Sequence, residues 1–349
     1  MSIHFETTKS WNRYIGEFFK QNGQSDIYFT EEYVSLNIYN DSEIECFVCC
    51  ENCNCFIFPY IKRSLNFNGV IYYDFETAYG YGGFLVNSDD VDFITKSLNL
   101  LIGTMKNNNF IAGFIRFHPL LKNSIYAAGY DEIELFFDRK TVSFDLTKSS
   151  DEIFKNIQPR RRSTINQAVS RGIECIFDHE LKYISEFQDM YRHTMMRLNA
   201  DSFYFFSADY FDKLRNLINK KVFLALCKYE GRIVAGALIF LYDIFGHYHL
   251  GGSYEEYQKF YPNNLLFYST AVYLKEFGCR LFHLGGGTDG NSENSLYQYK
   301  KKFSNSYHDF YIGKCIFNKE IYSLVCDKWA KNNPEKCAKY KKLTLCYRY

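Results

Sequence analysis

Proline is scarce in this sequence, at five of 349 residues, and no Pro-rich linker divides the chain. An excess of charge of one sign is lacking too: 41 Lys and Arg stand against 40 Asp and Glu, a formal net charge of +1. That balance excludes broad electrostatic coating of nucleic acid, DNA included, and leaves only local basic clusters. No apolar run is long enough to span a bilayer; the longest, Ile233–Tyr242, is half a span and has the alternation of a hairpin strand. The start, Met1-Ser2-Ile3-His4-Phe5-Glu6, lacks the basic residues and apolar core of a secretory signal. These absences predict a cytoplasmic protein without stable membrane insertion, with the inner membrane surface as a candidate place of work. Twelve cysteines in that compartment are expected as thiols.

What the chain does have is aromatic mass, 31 Tyr and 34 Phe in a sequence that is 47% hydrophobic, enough for two full cores. It also carries one order of elements twice. In the second half, Val222–Tyr229 and Arg232–Leu241 alternate around Glu230-Gly231, a hairpin signal. Tyr248-His249-Leu250-Gly251-Gly252 follows, then a helical pattern over Asn263–Phe277 and a short strand, Arg280–Leu284. In the first half, Glu45–Cys50 and Cys55–Ile61 alternate around a turn, followed by Tyr79-Gly80-Tyr81-Gly82-Gly83, a helix over Val91–Met105 and the strand Ile111–Phe117. One hairpin–glycine–helix–strand unit used twice predicts an α+β protein of two related domains rather than a solenoid, which needs more copies of a shorter period. The boundaries expected are 1–145 for the first domain, with 306–349 as its candidate completion, and 146–305 for the second. Strands are expected at Glu134–Asp138 and Thr141–Asp145, and helices around Trp11–Phe19, from Glu31 to Tyr39 behind a Thr30 cap, and from Glu180. Ser149 and Glu152 have capping-box spacing.

Several residues could carry chemistry. Cys46, Cys49, Cys50, Cys53 and Cys55 have metal-like spacing, but strand side chains alternate between faces, so no metal site is expected there. His118 ends a strand, either as a proton acceptor or as a hydrogen-bonded structural residue. Arg160, Arg161 and Arg162 open a helix where the dipole already favours anions, giving either an anion site or a solvated face. Glycines at 251–252 and 285–287 would let backbone N–H groups approach a ligand. The tail from Lys336 is basic and aromatic and reads as a packed terminal helix with a lysine-rich face.

Taken in order, five of these features resemble the FemABX and related GNAT-like acyltransferases. They are Arg162-x-x-Ile165-x-x-Ala168 before Gly172, Tyr191-x-x-Thr194-x-x-Arg197, the hairpin with Gly231, the helix entry Pro262-Asn263-Asn264-Leu265-Leu266, and Leu284-Gly285-Gly286 leading to Leu296-x-x-Tyr299-Lys300-x-x-Phe303. The resemblance implies two tandem GNAT-like domains, each a mixed, mostly antiparallel sheet flanked by helices. It implies transfer of an acyl or aminoacyl group, from aminoacyl-tRNA or acyl-CoA, to an amine of a cell-envelope or glycan precursor, with no resident cofactor. Lys300 matches the family lysine that faces developing negative charge, with Tyr299 in place of the usual Phe; the alternative is one of three lysines on a solvated turn. Arg160, Arg162, Arg197, Tyr79, Tyr248, Gly251, Gly252, Asn264, Gly285, Gly286 and Tyr299 are the expected donor- or substrate-binding residues. His118-Pro119 stands where the family's cell-wall enzymes carry Asp-Pro, so His118 is the candidate proton acceptor. The Gly-rich pyrophosphate loop of ordinary CoA-dependent members is absent, which tilts the donor towards charged tRNA. Two alternatives stay open: an acyl-CoA-dependent acetyltransferase of a small amino-sugar or metabolite, and a non-catalytic RNA- or glycan-binding module on the same fold.

Overall fold

The computed structural model describes residues 3–21, 23–39, 41–217 and 221–349. The chain separates into two compact units, Met1–Asp138 with Asp309–Tyr349, and Arg139–His308. In chain order the elements are β1 (His4–Thr8), α1 (Asn12–Lys20), α2 (Glu31–Ser35), β2 (Glu43–Glu51), β3 (Asn54–Phe67), β4 (Val70–Glu76), β5 (Leu85–Val86), α3 (Val91–Asn107) and β6 (Phe110–Arg116). Then come β7 (Ile133–Asp145), α4 (Ser150–Asn156), α5 (Pro159–Ser170), β8 (Glu174–Asp178), α6 (Ile184–Arg197) and α7 (Ala208–Leu217). The chain continues through β9 (Val222–Tyr229), β10 (Arg232–Tyr242), β11 (Phe245–Ser253), α8 (Pro262–Glu276) and β12 (Leu281–Gly285). It ends with α9 (Ser295–Lys300), β13 (Ser306–Ile316), α10 (Lys319–Asn332) and α11 (Pro334–Tyr340).

Local chemistry explains most of these boundaries. Glu230 and Gly231 both have positive φ, the backbone a two-residue hairpin turn demands, so β9 and β10 pair directly. Thr30 caps α2 and Asp90 caps α3 through their side-chain oxygens. Ser149 and Glu152 complete a reciprocal capping box on α4.

The first unit orders its strands β1-β2-β3-β4-β6-β13, and β5 pairs with β3. Its core is aromatic: Phe47, Phe56, Phe58, Phe75, Phe84 and Phe93 are fully buried around the inner face of α3. A smaller cluster places Val325 of α10 and Leu345 against Ile111 and Ala112 of β6. The second unit orders its strands β7-β12-β11-β10-β9-β8, with α8 and α5 on the face formed by Phe144, Phe223, Ala225, Ala237 and Phe282.

The repeat is topological as well as sequential. In each unit two antiparallel steps (β2-β3-β4; β9-β10-β11) lead through a helix (α3; α8) to a strand lying parallel to the third (β6; β12). The sheets are mixed and mostly antiparallel, with helices on their faces, as the sequence predicts.

Four local expectations need correction. Glu134–Asp138 and Thr141–Asp145 form one continuous strand, β7, because Arg139 and Lys140 stay extended instead of turning. α2 stops at Ser35, where the Asn37 amide bonds back to the Tyr33 carbonyl. α6 begins at Ile184 because the Asp178 carboxylate holds the amides of Glu180 and Tyr183 in a turn. Cys50 and Cys55, expected as thiols, form a disulfide; they sit directly opposite each other on β2 and β3.

Candidate active site

The site begins where two parallel strands part. β11 and β12 pair at Phe245–Leu281, Gly246–Phe282 and His247–His283, and their ladder ends there. β11 stays hydrogen-bonded to β10 as far as Ser253, while β12 ends at Gly285 in a left-handed turn, φ 74°. Among the described residues, the β11–β12 ladder does not continue beyond His247–His283. The same seam in the first unit is closed. β4 and β6 pair through Glu76–Phe114, the Thr77 amide then bonds the Phe114 carbonyl (3.0 Å), and Gly82 bridges Phe117. Only the second copy of the repeat opens.

A bulge shapes one wall of the opening. Leu238 faces Leu250 but Ile239 faces Tyr248, so His249 is the extra residue of β11. His249 turns to the Tyr210 hydroxyl of α7, 2.6 Å away, and burial beside His247 holds its pKa down to about 3. Tyr248 packs edge-on against Phe267, 5.1 Å between centroids, and burial pushes its phenol well up. Its hydroxyl lies 1.6 Å from where a Cβ on Gly251 would be, so Gly251 is required for space rather than for its φ. Gly252 serves a different contact, with the backbone of α6 at Met190 and Tyr191.

Lys300, the last residue of α9, reaches into the gap. Its Nζ donates to the Gly286 carbonyl (2.8 Å), just past the end of β12, and lies 5.9 Å from the centroid of the Tyr248 ring on β11. The amine thus lies between the residue that follows β12 and an aromatic ring of β11. Lys300 is 6% exposed, and burial, with Arg139 nearby, lowers its pKa to about 7. Of the three consecutive lysines, 300 to 302, it is the buried one.

Tyr299 points the other way. Its hydroxyl donates to Asn264 Oδ1 (2.6 Å), Asn264 Nδ2 donates to Thr164 Oγ1 (2.8 Å), and that hydroxyl donates to the Arg161 carbonyl (2.8 Å). This buried chain ties α9, α8 and α5 together and holds Lys300 in place; the Arg161 guanidinium sits 5.0 Å above the Tyr299 ring. Arg197 donates to the Ser253 carbonyl (3.0 Å), and Thr194 bonds both backbone groups of Ser253, so α6 fixes the far end of β11.

The arginines at the start of α5 diverge. Arg160 is exposed, Arg161 covers Tyr299, and Arg162 lines a surface cavity of about 540 Å³ with Phe154, Pro159, Ser163, Asn166, Gln167 and Ser170. Neither Lys300 nor Tyr248 lines that cavity. Tyr79 and His118 belong to the first unit. The Tyr79 backbone is held by the Tyr33 hydroxyl and by Asn37 Oδ1. His118 is buried, its Nε2 2.9 Å from the Asp26 carboxylate and its Nδ1 accepting from the Leu121 amide. Both ring nitrogens of His118 are thus hydrogen-bonded within the first unit. Arg139 is the residue the sequence reading missed: its Nη1 donates to the Gly287 carbonyl (2.7 Å), beside the carbonyl that Lys300 uses.

Residues 160–301 match the family model described as an acetyltransferase (GNAT) domain. The chain has a FemABX/GNAT-like acyltransferase fold. The crystal structure of FemX aligns with a TM-score of 0.73 at 15% identity, covering 93% of this chain and 99% of that one. The C-terminal domain of a putative lysylphosphatidylglycerol synthetase from Agrobacterium fabrum aligns with a TM-score of 0.54 at 14% identity, covering 90% and 94%. A tandem GNAT protein from the clavulanic acid biosynthesis pathway aligns with a TM-score of 0.50 at 7% identity, covering 91% and 99%. No curated protein matches the sequence. The likeness to solved structures is one of fold, and with the matched GNAT domain it supports an acyltransferase, with an acyl donor and an amine acceptor as its general partners. No helix among the described residues is long and apolar enough to cross a membrane.

Proposed function

We propose that the chain transfers an acyl or aminoacyl group to the amine of an envelope or glycan precursor, with the donor carbonyl lying where β11 and β12 part. The observation that carries this reading is the position of Lys300 Nζ between the Gly286 carbonyl and the Tyr248 ring. In aminolysis the amine nitrogen bonds the carbonyl carbon and the carbonyl oxygen becomes an oxyanion. Collapse then breaks the ester or thioester bond, and the proton lost by the amine ends on the leaving alcohol or thiol. A protonated Lys300 has three N–H bonds and gives one to Gly286, so others remain to meet the oxyanion. Burial disfavours its charge in the resting site, and the developing negative charge restores it, so the interaction strengthens on the way to the transition state. A donor of this kind is worth about 3 kcal/mol in comparable sites.

The segment leading into α8 bears on the donor. A pyrophosphate cradle there wants glycines and no acid, whereas Tyr254–Tyr261 contains Glu255 and Glu256 and no glycine. This favours an aminoacyl ester of tRNA over acyl-CoA. The envelope acceptor is supported by the likeness to FemX and to a lysylphosphatidylglycerol synthetase domain. The test supplies ¹⁴C-aminoacyl-tRNA or ¹⁴C-acetyl-CoA with amine-bearing envelope precursors and free amino sugars. Label should move from the tRNA pool to a precursor amine, and Lys300→Met should reduce that rate ~100-fold. Transfer from acetyl-CoA alone would overturn the donor reading. Transfer undiminished in Lys300→Met would overturn the site.

A further inference from the structure

We infer that Arg139 is a positioning residue for Lys300: it anchors the Gly285–Gly287 turn so that consecutive backbone carbonyls hold two cations side by side. The inference rests on the reading of Lys300 as the cation that meets the oxyanion. It starts from β12, where His283 faces Ser143 but Gly285 faces Val142, leaving Leu284 as the extra residue. That bulge swings the strand end across β7. Gly286 then lies so close to β7 that a Cβ on it would stand 2.8 Å from the Lys140 carbonyl and 3.0 Å from Arg139 Cδ. The Arg139 side chain runs along this glycine and donates from Nη1 to the Gly287 carbonyl at 2.7 Å, while Lys300 takes the Gly286 carbonyl at 2.8 Å.

Two cations on neighbouring carbonyls repel, and only one can yield. A guanidinium keeps its proton at any working pH, whereas a buried ammonium gives its proton up readily. Arg139 therefore does two things: its bond to the Gly287 carbonyl steadies the turn that carries the Gly286 carbonyl, and its charge adds to burial, the larger cause, in making Lys300 the group whose charge adjusts. The other ionisable groups around Lys300 do not substitute for it. Tyr248 on β11 and Tyr299 on α9 both have phenols pushed up by burial, so they remain neutral near pH 7. Arg161 of α5 lies over the Tyr299 ring, Lys301 and Lys302 are half-buried beyond α9, and Asp289 and Glu293 of the connecting loop are exposed.

The test reads Lys300 directly. The intact protein is trace-labelled with acetic anhydride across pH 5.5–10, and the Lys300 peptide is quantified by mass spectrometry. Its reactivity should rise with a midpoint near pH 7 in the wild type. In Arg139→Gln the midpoint should move to higher pH, towards that of an ordinary lysine. In Arg139→Lys, which keeps the charge and loses the fork, the midpoint should stay near the wild-type value while labelling above it changes in rate. An unchanged midpoint in a folded Arg139→Gln overturns the inference. So does an equal shift in both variants, the outcome of a purely structural role; should Arg139→Gln fail to fold, a wild-type-like midpoint in Arg139→Lys supports the inference and a raised one overturns it. Absence of transfer from every donor in the wild type would sink the acyl-transfer reading without changing the labelling midpoints, so the two failures are told apart, because the labelling needs no substrate.

Discussion

Replacing Lys300 with Met removes the charge and keeps the length of the side chain, and its effect on stability should depend on pH in a way the structure specifies. The folded-state pKa is about 7 and the ordinary value is 10.5. Between those values the unfolded chain holds a proton that the folded chain has lost, so folding is penalised most at and below pH 7, and stability rises as pH increases through the window. With those two values, the penalty relieved between pH 7 and pH 9 is about 2 kcal/mol, at 1.36 kcal/mol per unit of proton affinity. Lys300→Met carries no such penalty. Its stability relative to wild type should therefore fall by about 2 kcal/mol between pH 7 and pH 9. Comparing the variant with wild type at each pH cancels the other titrating groups, and the cost of leaving the Gly286 carbonyl without its donor is the same at both. Guanidinium melts of the two proteins at pH 7 and pH 9 give the four numbers. A stability difference that does not change with pH would mean that Lys300 stays charged and solvated, and the buried-cation account would be wrong.

Three further substitutions probe the supports of the site. Gly251→Ala should displace the Tyr248 ring, cost about 1–3 kcal/mol by overpacking, and slow transfer more than Gly103→Ala, an uncrowded helix position, does in parallel assays. Asn264→Leu should leave the Tyr299 hydroxyl without its acceptor and remove the bond that Thr164 accepts, at a cost of about 1–3 kcal/mol in denaturant melts; a neutral result would show that the buried chain does not hold α9. Ser149→Ala should lower stability by about 1 kcal/mol through loss of the capping box on α4, with no change in transfer, whereas Ser149→Thr should retain most of it.

The parts legible in the sequence are those fixed by local chemistry. Glu230-Gly231 declares a hairpin because two successive positive φ angles suit few residue pairs, and Ser149–Glu152 declares a helix start because its two bonds close within four residues. The second repeat could be aligned with the first because both hairpins, both helices and both closing strands keep their periods. What was not legible depends on distant partners. β7 reads as two strands because Arg139-Lys140 resembles a polar turn, whereas in the structure the Arg139 side chain runs along Gly286 and bonds the Gly287 carbonyl. β1 is not legible because its short, mostly exposed run, with Phe5 as its one large apolar residue, shows no apolar alternation; its register with β2 identifies it. His118 reads as a free polar group at a strand end until Asp26, 92 residues away, is placed against it. Lys300 was picked out by motif resemblance, yet nothing local distinguishes it from Lys301 and Lys302. Its burial follows from the Tyr299–Asn264–Thr164 chain, which spans three helices.

Hydrogen–deuterium exchange with and without charged tRNA, resolved to peptides of β11, the Gly285–Gly287 turn and α9, tests the central claim most directly. β11 beyond its last pair with β12 should exchange faster when the site is empty than when a donor is bound, because the β11–β12 ladder stops at His247–His283. Protection confined to Tyr248–Ser253, Gly285–Gly287 and Lys300, with β4 and β6 unchanged, is the result the account predicts. Protection of the β4–β6 seam, or of the Arg162 cavity alone, would place the donor elsewhere and contradict it.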